Sequence, residues 1–105
     1  MAEAAELSII RWRDIPAQVI ARRGRETARR LMPEEFQQAI DAAAMVAGLT
    51  GSDAYAAAFV TERRPCGDDL EAEAEAAYRE LLAAWPPEAL KAAIRAGGVR
   101  GGAGA

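Results

Sequence analysis

The sequence contains no histidine and only one cysteine among its 105 residues. Without histidine, the serine–histidine and cysteine–histidine pairs of nucleophilic enzymes cannot form, and the commonest protein ligand of zinc is missing. One thiol cannot make an internal disulfide or hold an iron–sulfur cluster by itself. These absences exclude several catalytic and metal-binding classes. We expect no cofactor, no metal and a reducing compartment.

Long apolar runs are missing as well. No stretch approaches the roughly 18 apolar residues that a membrane span requires. The acidic start, MAEAAELS, lacks the apolar core of a secretory signal. The sequence therefore predicts a cytoplasmic protein without membrane contact. Half of its hydrophobic residues, 27 of 54, are alanine. Such a chain can fill one thin core, so we predict a single domain over residues 8–96 behind a leader at 1–7.

The net charge of −3 conceals a separation along the chain. Residues 11–30 contain seven arginines against two acidic residues, whereas residues 31–105 contain six basic residues against twelve acidic ones. Arginine supplies twelve of the thirteen basic side chains. Such asymmetry affects the choice of partner more than the fold, and arginine binds carboxylates and phosphates in a bidentate way that lysine cannot copy.

The first third of the chain has the pattern of strands. From Ser8 the residues alternate, with Ile10 and Trp12 on one side and Ile9, Arg11 and Arg13 on the other, until Pro16 ends the run. Residues 18–32 have a β-branched centre, and Gly24 suits a turn. They are interpreted as a hairpin, with an arginine-rich helix broken at Gly24 as the alternative.

The remainder has the pattern of helices. The spacing predicts a helix that starts at Pro33 and stops at Gly48, and a shorter one that Ser52 caps, that includes Phe59 and that is broken at residues 63–67. It also predicts a long helix from Asp68 or Asp69 to Trp85 and a final one from Glu88 to Ala96. Residues 97–105 are mostly glycine and alanine and are predicted to be a disordered tail. Strands followed by helices indicate an α+β fold, a small antiparallel sheet of two to three strands covered by three to four helices. Trp12 and Trp85 are expected to meet in its core.

The arginines of the first third are the strongest candidates for a functional surface. On a hairpin, alternate arginines project to the same side and suit phosphate, nucleic acid or an acidic protein surface. The alternative is a solvated face, or pairing with the acidic helices of the same chain. Nucleic acid is disfavoured because the chain is acidic and no aromatic residues are interleaved. The predicted partner-binding residues are Arg11, Trp12, Arg13, Asp14, Arg22, Arg23, Arg25, Arg29 and Arg30.

Three other features favour structural roles. Asp41 lies on a helix rich in small residues and is predicted to form an ion pair with an arginine of the sheet. The acidic residues from 68 to 75 fit helix capping better than metal binding, since they spread around the helix. Cys66 is expected in an exposed loop where Arg63 and Arg64 would lower its pKa, although an incidental thiol is favoured.

Three segments of the chain resemble a small bacterial "virulence factor" domain family. They are residues 11–19 (RWRDIPAQV), 38–45 (QAIDAAAM) and 51–55 (GSDAY). The resemblance extends over about residues 8–95, with Ala56 and Phe59 where the family tends to have bulkier residues. A related domain is found in a larger staphylococcal conserved virulence factor. The family name describes a phenotype and implies no catalytic residue.

Two functions are consistent with the residues and the resemblance. The first is a non-catalytic domain that docks a larger cytoplasmic protein through its arginine-rich sheet. The second, implied by the resemblance, is an accessory subunit or small enzyme of corrinoid or tetrahydrofolate methyl transfer that binds an anionic ligand. The partner could then be a protein of that pathway. The absence of histidine favours the first.

Overall fold

A computed structural model describes residues 4–100 of the chain and shows a four-stranded antiparallel sheet with four helices. The α+β class is confirmed, with one strand more than predicted. The strands lie in the order β3-β2-β1-β4. Along the chain the elements are β1 (Glu6–Trp12), β2 (Ile15–Arg23), β3 (Glu26–Leu31), α1 (Glu34–Ala47), α2 (Ser52–Ala57), β4 (Phe59–Pro65), α3 (Leu70–Ala84) and α4 (Pro87–Arg95).

The hairpin of β2 and β3 forms, and the broken helix does not. Gly24 has a φ of 60°, in the left-handed region where glycine avoids strain, and it turns the chain between the two strands. The first strand starts at Glu6, earlier than the alternation predicted, and both Ala5 and Leu7 are buried. Ala5 and Leu7 thus belong to the core, and residues 5–7 are part of the fold and not of a leader. Residues 1–3 lie outside the described part.

The fourth strand was not predicted. The helix that starts at Ser52 was expected to include Phe59, but it ends at Ala57, and residues 59–65 pair with β1 instead. Only Val60 and Thr61 in β4 are β-branched, and four charged or proline residues follow them. Pairing with β1, distant in sequence, therefore stabilises a strand that local propensity barely favours.

The long helices begin and end where their sequences predict. Glu34 and Glu35 lie in the first turn of α1, near the positive end of its dipole, and Gly48 ends this helix with a φ of 73°. The Asp69 side chain accepts a hydrogen bond from the Ala72 N–H and so caps α3. None of the helices described for residues 4–100 combines the length and apolar character needed to cross a membrane.

The sheet has two different faces. Its covered face, which packs against the helices, is defined by buried side chains that lie opposite one another in the register: Leu7, Ile9, Val19, Ala21 and Ala28. Residues one position along each strand point the other way. The exposed ones among them define the open face and are Glu6, Arg22, Thr27, Arg29, Leu31, Phe59, Thr61, Arg63 and Pro65.

Trp12 is fully buried, but the ring stacked against it is not that of Trp85. Its Nε1 donates to the Tyr55 carbonyl at 2.9 Å, and the two rings lie 5.7 Å apart between centroids. Trp85 is also buried and carries the guanidinium of Arg100 over its ring at 4.5 Å. The expected meeting of the two tryptophans is thus replaced by two separate contacts, one with Tyr55 and one with Arg100.

The C-terminal segment up to residue 100 is packed, which corrects the prediction of disorder from Gly97. Gly97 and Gly98 are buried. A Cβ on Gly98 would come within 2.7 Å of the Trp12 ring, and its φ is +98°. The glycine-rich composition suggested disorder, but the lack of a side chain at Gly98 is what lets its backbone lie against the indole of Trp12. Residues 101–105 of the predicted tail lie outside the described part.

Candidate functional site

Three arginine pairs in the sheet dominate its charge: Arg22-Arg23 in β2, Arg29-Arg30 in β3 and Arg63-Arg64 in β4. Side chains alternate along a strand, so the two members of each pair point to opposite faces. The first member lies on the open face and the second on the covered face. Each pair therefore contributes one arginine to each side of the sheet.

The second members bind acidic residues of α3 and of the loop before it. Arg30 donates from Nε to Glu75 at 3.0 Å and from NH2 to Glu71 at 2.8 Å. These hydrogen bonds raise the pKa of the Arg30 guanidinium. Looser ion pairs join Arg23 to Asp68 at 3.5 Å and Arg64 to Glu80 at 4.0 Å. Arg23 and Arg30 were predicted to bind a partner, but in the structure they bind their own chain.

Glu75 is the centre of this network. It also accepts a hydrogen bond at 2.7 Å from Arg79, which lies one helical turn along α3. The hydrogen bonds from Arg79 and Arg30 lower the pKa of Glu75. Asp69 caps α3, and Asp68, Glu71 and Glu75 pair with arginines, so these four acidic residues have structural roles. Among residues 4–100 no cluster of acidic or thiol side chains is arranged to hold a metal ion.

The first members remain available on the open face. Arg22 and Arg29 are exposed and make no salt bridge within residues 4–100, and the same holds for Arg25 in the hairpin turn. Arg63 has only a loose contact with Glu6, at 3.9 Å. This part of the predicted surface is a basic patch on an acidic protein.

The four predicted residues from 11 to 14 hold other parts of the chain together. Arg11 binds Glu62 of β4 at 3.1 Å. Arg13, with a φ of 53°, donates to the Gly97 carbonyl at 2.9 Å. Asp14 accepts from the Arg100 N–H at 2.6 Å. Trp12 is buried, and the contacts of its neighbours link this segment to β4 and to the C-terminal residues.

Asp41 does not form the predicted ion pair with an arginine of the sheet. It is exposed on α1, and its Oδ1 accepts hydrogen bonds from Gln37 Nε2 at 3.0 Å and from the Tyr55 hydroxyl at 3.2 Å. The arginines of the covered face reach α3 and not α1, which leaves Asp41 with neutral partners. Its contacts join α1 to α2.

Cys66 differs from its prediction too. It is half-buried, and burial, with the nearby charges of Glu73 and Asp68, raises the pKa of its thiol against the opposing effect of Arg64. The expected lowering by arginine is wrong because desolvation is the larger effect. The raised pKa supports the interpretation of an incidental thiol.

Sequence reasoning missed a groove beside the first residues of β4. It has a volume of about 620 Å³. Its lining is mainly apolar and consists of Arg13, Asp14, Leu49, Ala54, Ala57, Ala58, Val60 and Val99. The groove was not predicted because β4, which lies beside it, was not predicted. The one signal for it was Phe59-Val60-Thr61, three residues typical of strands.

A family model described as "Virulence factor" matches residues 10–94. The match includes β2, β3 and β4, residues 10–12 of β1, and α4 as far as Ile94. No curated protein and no solved structure matches the chain.

Proposed function

The chain belongs to the virulence factor family, and from that premise we propose that it is a non-catalytic interaction domain that docks an acidic surface of a larger protein. The open face of the sheet is the docking surface, with Arg22, Arg29 and Arg63 as its charged contacts. Arg25, in the adjoining turn, extends the same patch. Arg30 acts behind this surface by holding α3 in place, whereas Arg23 pairs with Glu26 of β3 and with Asp68 just before α3.

The observation that supports this proposal is that the two arginines of each pair differ in their acidic partners. Each covered-face arginine has an α3 or loop carboxylate within 4.0 Å. On the open face the opposing acid is Glu6, 3.9 Å from Arg63. Arginines without a carboxylate of their own can pair with those of another molecule, and such complementarity steers encounter and sets register.

The open face also suits protein better than nucleic acid. Its register places Ile10 and Leu31 among the arginines, and Leu31 is 67% exposed. Mixed apolar and arginine contacts are typical of protein interfaces, whereas single-stranded nucleic acid needs aromatic platforms for its bases. RNA or DNA retention in filter binding that falls steeply with salt would contradict the proposal.

Charge reversal on the open face tests this function. The variant Arg22→Glu with Arg29→Glu is compared with Lys91→Glu and Arg95→Glu, two exposed positions on α4 that make no salt bridge within residues 4–100. Both variants change the net charge equally. A protein captured by the wild type from native extract is purified and titrated against all three. We expect about tenfold or greater weakening for the open-face variant alone.

Two results would overturn the proposal. One is equal affinity for all three proteins, or equal weakening of the two variants, because net charge and not the open face would then determine binding. The other is a small anionic molecule, found by native mass spectrometry on the purified wild type and lost from the open-face variant. That result would support the accessory role in one-carbon transfer instead.

A further inference from the structure

The outer edge of β4 is unoccupied by any strand of residues 4–100, because β4 ends the order β3-β2-β1-β4. All seven of its side chains are exposed. The other edge strand, β3, differs in two respects. Its Ala28 is buried, and its Arg30 is held by two α3 carboxylates. An unprotected edge is a template for another strand.

The hydrogen bonds of β1 and β4 show which backbone groups of β4 face outward. Arg13 N–H donates to Ala58 O at 2.9 Å, and Cys66 N–H donates to Ala5 O at 3.2 Å. In an antiparallel pair, bonded and non-bonded positions alternate. Between these two ends, the bonded pairs are Leu7–Arg64, Ile9–Glu62 and Arg11–Val60. The N–H and C=O groups of Phe59, Thr61 and Arg63 therefore point to the free edge.

Pro65 agrees with this assignment. It lies opposite Glu6, at a position where the missing N–H would face outward, so the proline costs β1 no hydrogen bond. Proline at that position also ends the row of outward donors at Arg63. The free edge accordingly offers three donors and the matching carbonyls, enough for a short added strand.

The two ends of this edge differ in chemistry. Near Phe59, Val60 is 51% exposed and lines the apolar groove of about 620 Å³. Near Pro65, the side chains of Arg63 and Arg64 are 65% and 44% exposed, and their ion pairs at 3.9 and 4.0 Å are long. A strand running antiparallel to β4 would need acidic residues first and an apolar residue afterwards.

We infer that the partner contributes an extended segment that adds to β4 as a fifth strand, with acidic side chains beside Arg63 and Arg64 and an apolar one over the groove. The inference rests on the proposed function and names the form of the partner's contact. A second copy of the chain fits less well, because full antiparallel pairing of β4 with itself would place Glu62 opposite Glu62. The added strand would also continue the open face beyond Arg63.

A matched pair of proline substitutions tests the added strand. Thr61 and Thr27 both lie on the open face of an edge strand with an outward N–H. For Thr27 this follows from the Met32 N–H to Ala17 O bond and the β2–β3 register. Thr61→Pro removes a donor from the β4 edge, and Thr27→Pro removes one from the β3 edge. Neither breaks a bond to the neighbouring strand.

The probe is a labelled synthetic peptide as long as β4, with glutamate opposite Arg63 and Arg64 and leucine opposite Val60. Anisotropy measures its affinity, and a scrambled peptide is the control. We expect Thr61→Pro to weaken binding about tenfold or more and Thr27→Pro to leave it unchanged. Hydrogen exchange of the Thr61 and Arg63 amides should slow in the complex. Undetectable binding, equal effects of both prolines, or unchanged exchange would overturn the inference.

A charge swap keeps the test valid if Thr61→Pro fails to fold. Arg63→Glu should weaken the glutamate peptide and bind a lysine version of it better, and an absence of this exchange would count against the added strand. Titration of the captured partner separates the two proposals. If Arg22→Glu with Arg29→Glu weakens it but Thr61→Pro does not, the open face is the docking site and the added strand is wrong. If the open-face variant has no effect, the proposed function fails.

Discussion

The covered and open faces of the sheet carry the same residue type in different states. Arg30 on the covered face is fixed by Glu71 and Glu75, whereas its neighbour Arg29 makes no salt bridge within residues 4–100. The two differ only by one step along β3, which reverses the direction of the side chain. For Arg29 and Arg30, position in the register therefore decides which arginine stabilises the fold and which is available to a partner.

The two faces also differ in how much they contribute to the stability of the fold. The covered face has few large side chains, so ion pairs from Arg23, Arg30 and Arg64 help to orient α3 over the sheet. Exposed ion pairs are individually weak, but a shared network fixes geometry better than separate pairs do. The open face has no such ion-pair network among the described residues. Substitutions of its exposed residues should affect partner binding and leave the free energy of unfolding nearly constant.

The largest contrast is expected for the neighbouring isoleucines of β1. Ile9 is 3% exposed on the covered face, whereas Ile10 is half-buried on the open face. Ile9→Ala should lower the free energy of unfolding by about 2–5 kcal/mol, and Ile10→Ala by about 1 kcal/mol or less. Both substitutions replace isoleucine by alanine in the same strand and so lose the same strand propensity. The difference between the two losses in free energy of unfolding therefore reflects burial. Urea denaturation measures both, and equal losses would show that the open face is covered as well.

The next contrast is between the neighbouring arginines of β3. Arg30→Ala should lower the melting temperature because it leaves Glu71 and Glu75 without their shared partner. Arg29→Ala should leave the melting temperature almost unchanged. Thermal unfolding at low and high salt checks the cause, since screening should shrink the effect of Arg30→Ala. A loss that is independent of salt would indicate packing by the arginine stem instead.

A smaller effect is expected on the free energy of unfolding at acid pH. It arises from Glu75, whose partner Arg30 lies on the covered face. Hydrogen bonds from Arg79 and Arg30 lower the pKa of Glu75 below its ordinary 4.5 when the chain is folded. The stabilisation is therefore complete above the unfolded-state pKa and is lost as the pH falls through the folded-state value. Glu75→Gln should flatten the acid limb of stability against pH. A slope as steep as the wild type's, in denaturation at a series of pH values, would contradict this assignment.

Much of this contrast follows from the sequence, and the rest depends on long-range pairing. The hairpin, the caps of α1 and α3, and the Glu75–Arg79 pair have local signals, and all are present. Alternation also implied that the two arginines of a pair face opposite sides. Which side α3 covers depends on tertiary packing, so Arg23 and Arg30 were assigned to the partner surface with Arg22 and Arg29.

The other errors have the same origin. β4 exists because β1 is beside it, and nothing within residues 59–65 specifies that neighbour. The Gln37–Asp41 contact spans one helical turn and had a local signal, whereas the hydroxyl of Tyr55 beside Asp41 had none. The packing of Gly98 on Trp12 likewise joins residues far apart in sequence. Residues with local partners were predictable, and those with distant partners were not.

The smallest expected effect tests how far the covered face extends. Cys66 follows β4 at a position bonded to the buried Ala5, which places it beyond the last covered-face pair. Burial raises the pKa of its thiol, and Glu73 and Asp68 add to the shift, so less thiolate is present near neutral pH. Iodoacetamide should therefore react more slowly with the folded protein than with a free cysteine peptide, and unfolding should abolish the difference. A faster reaction in the folded protein would mean that Arg64 outweighs burial and that the covered face ends before Cys66.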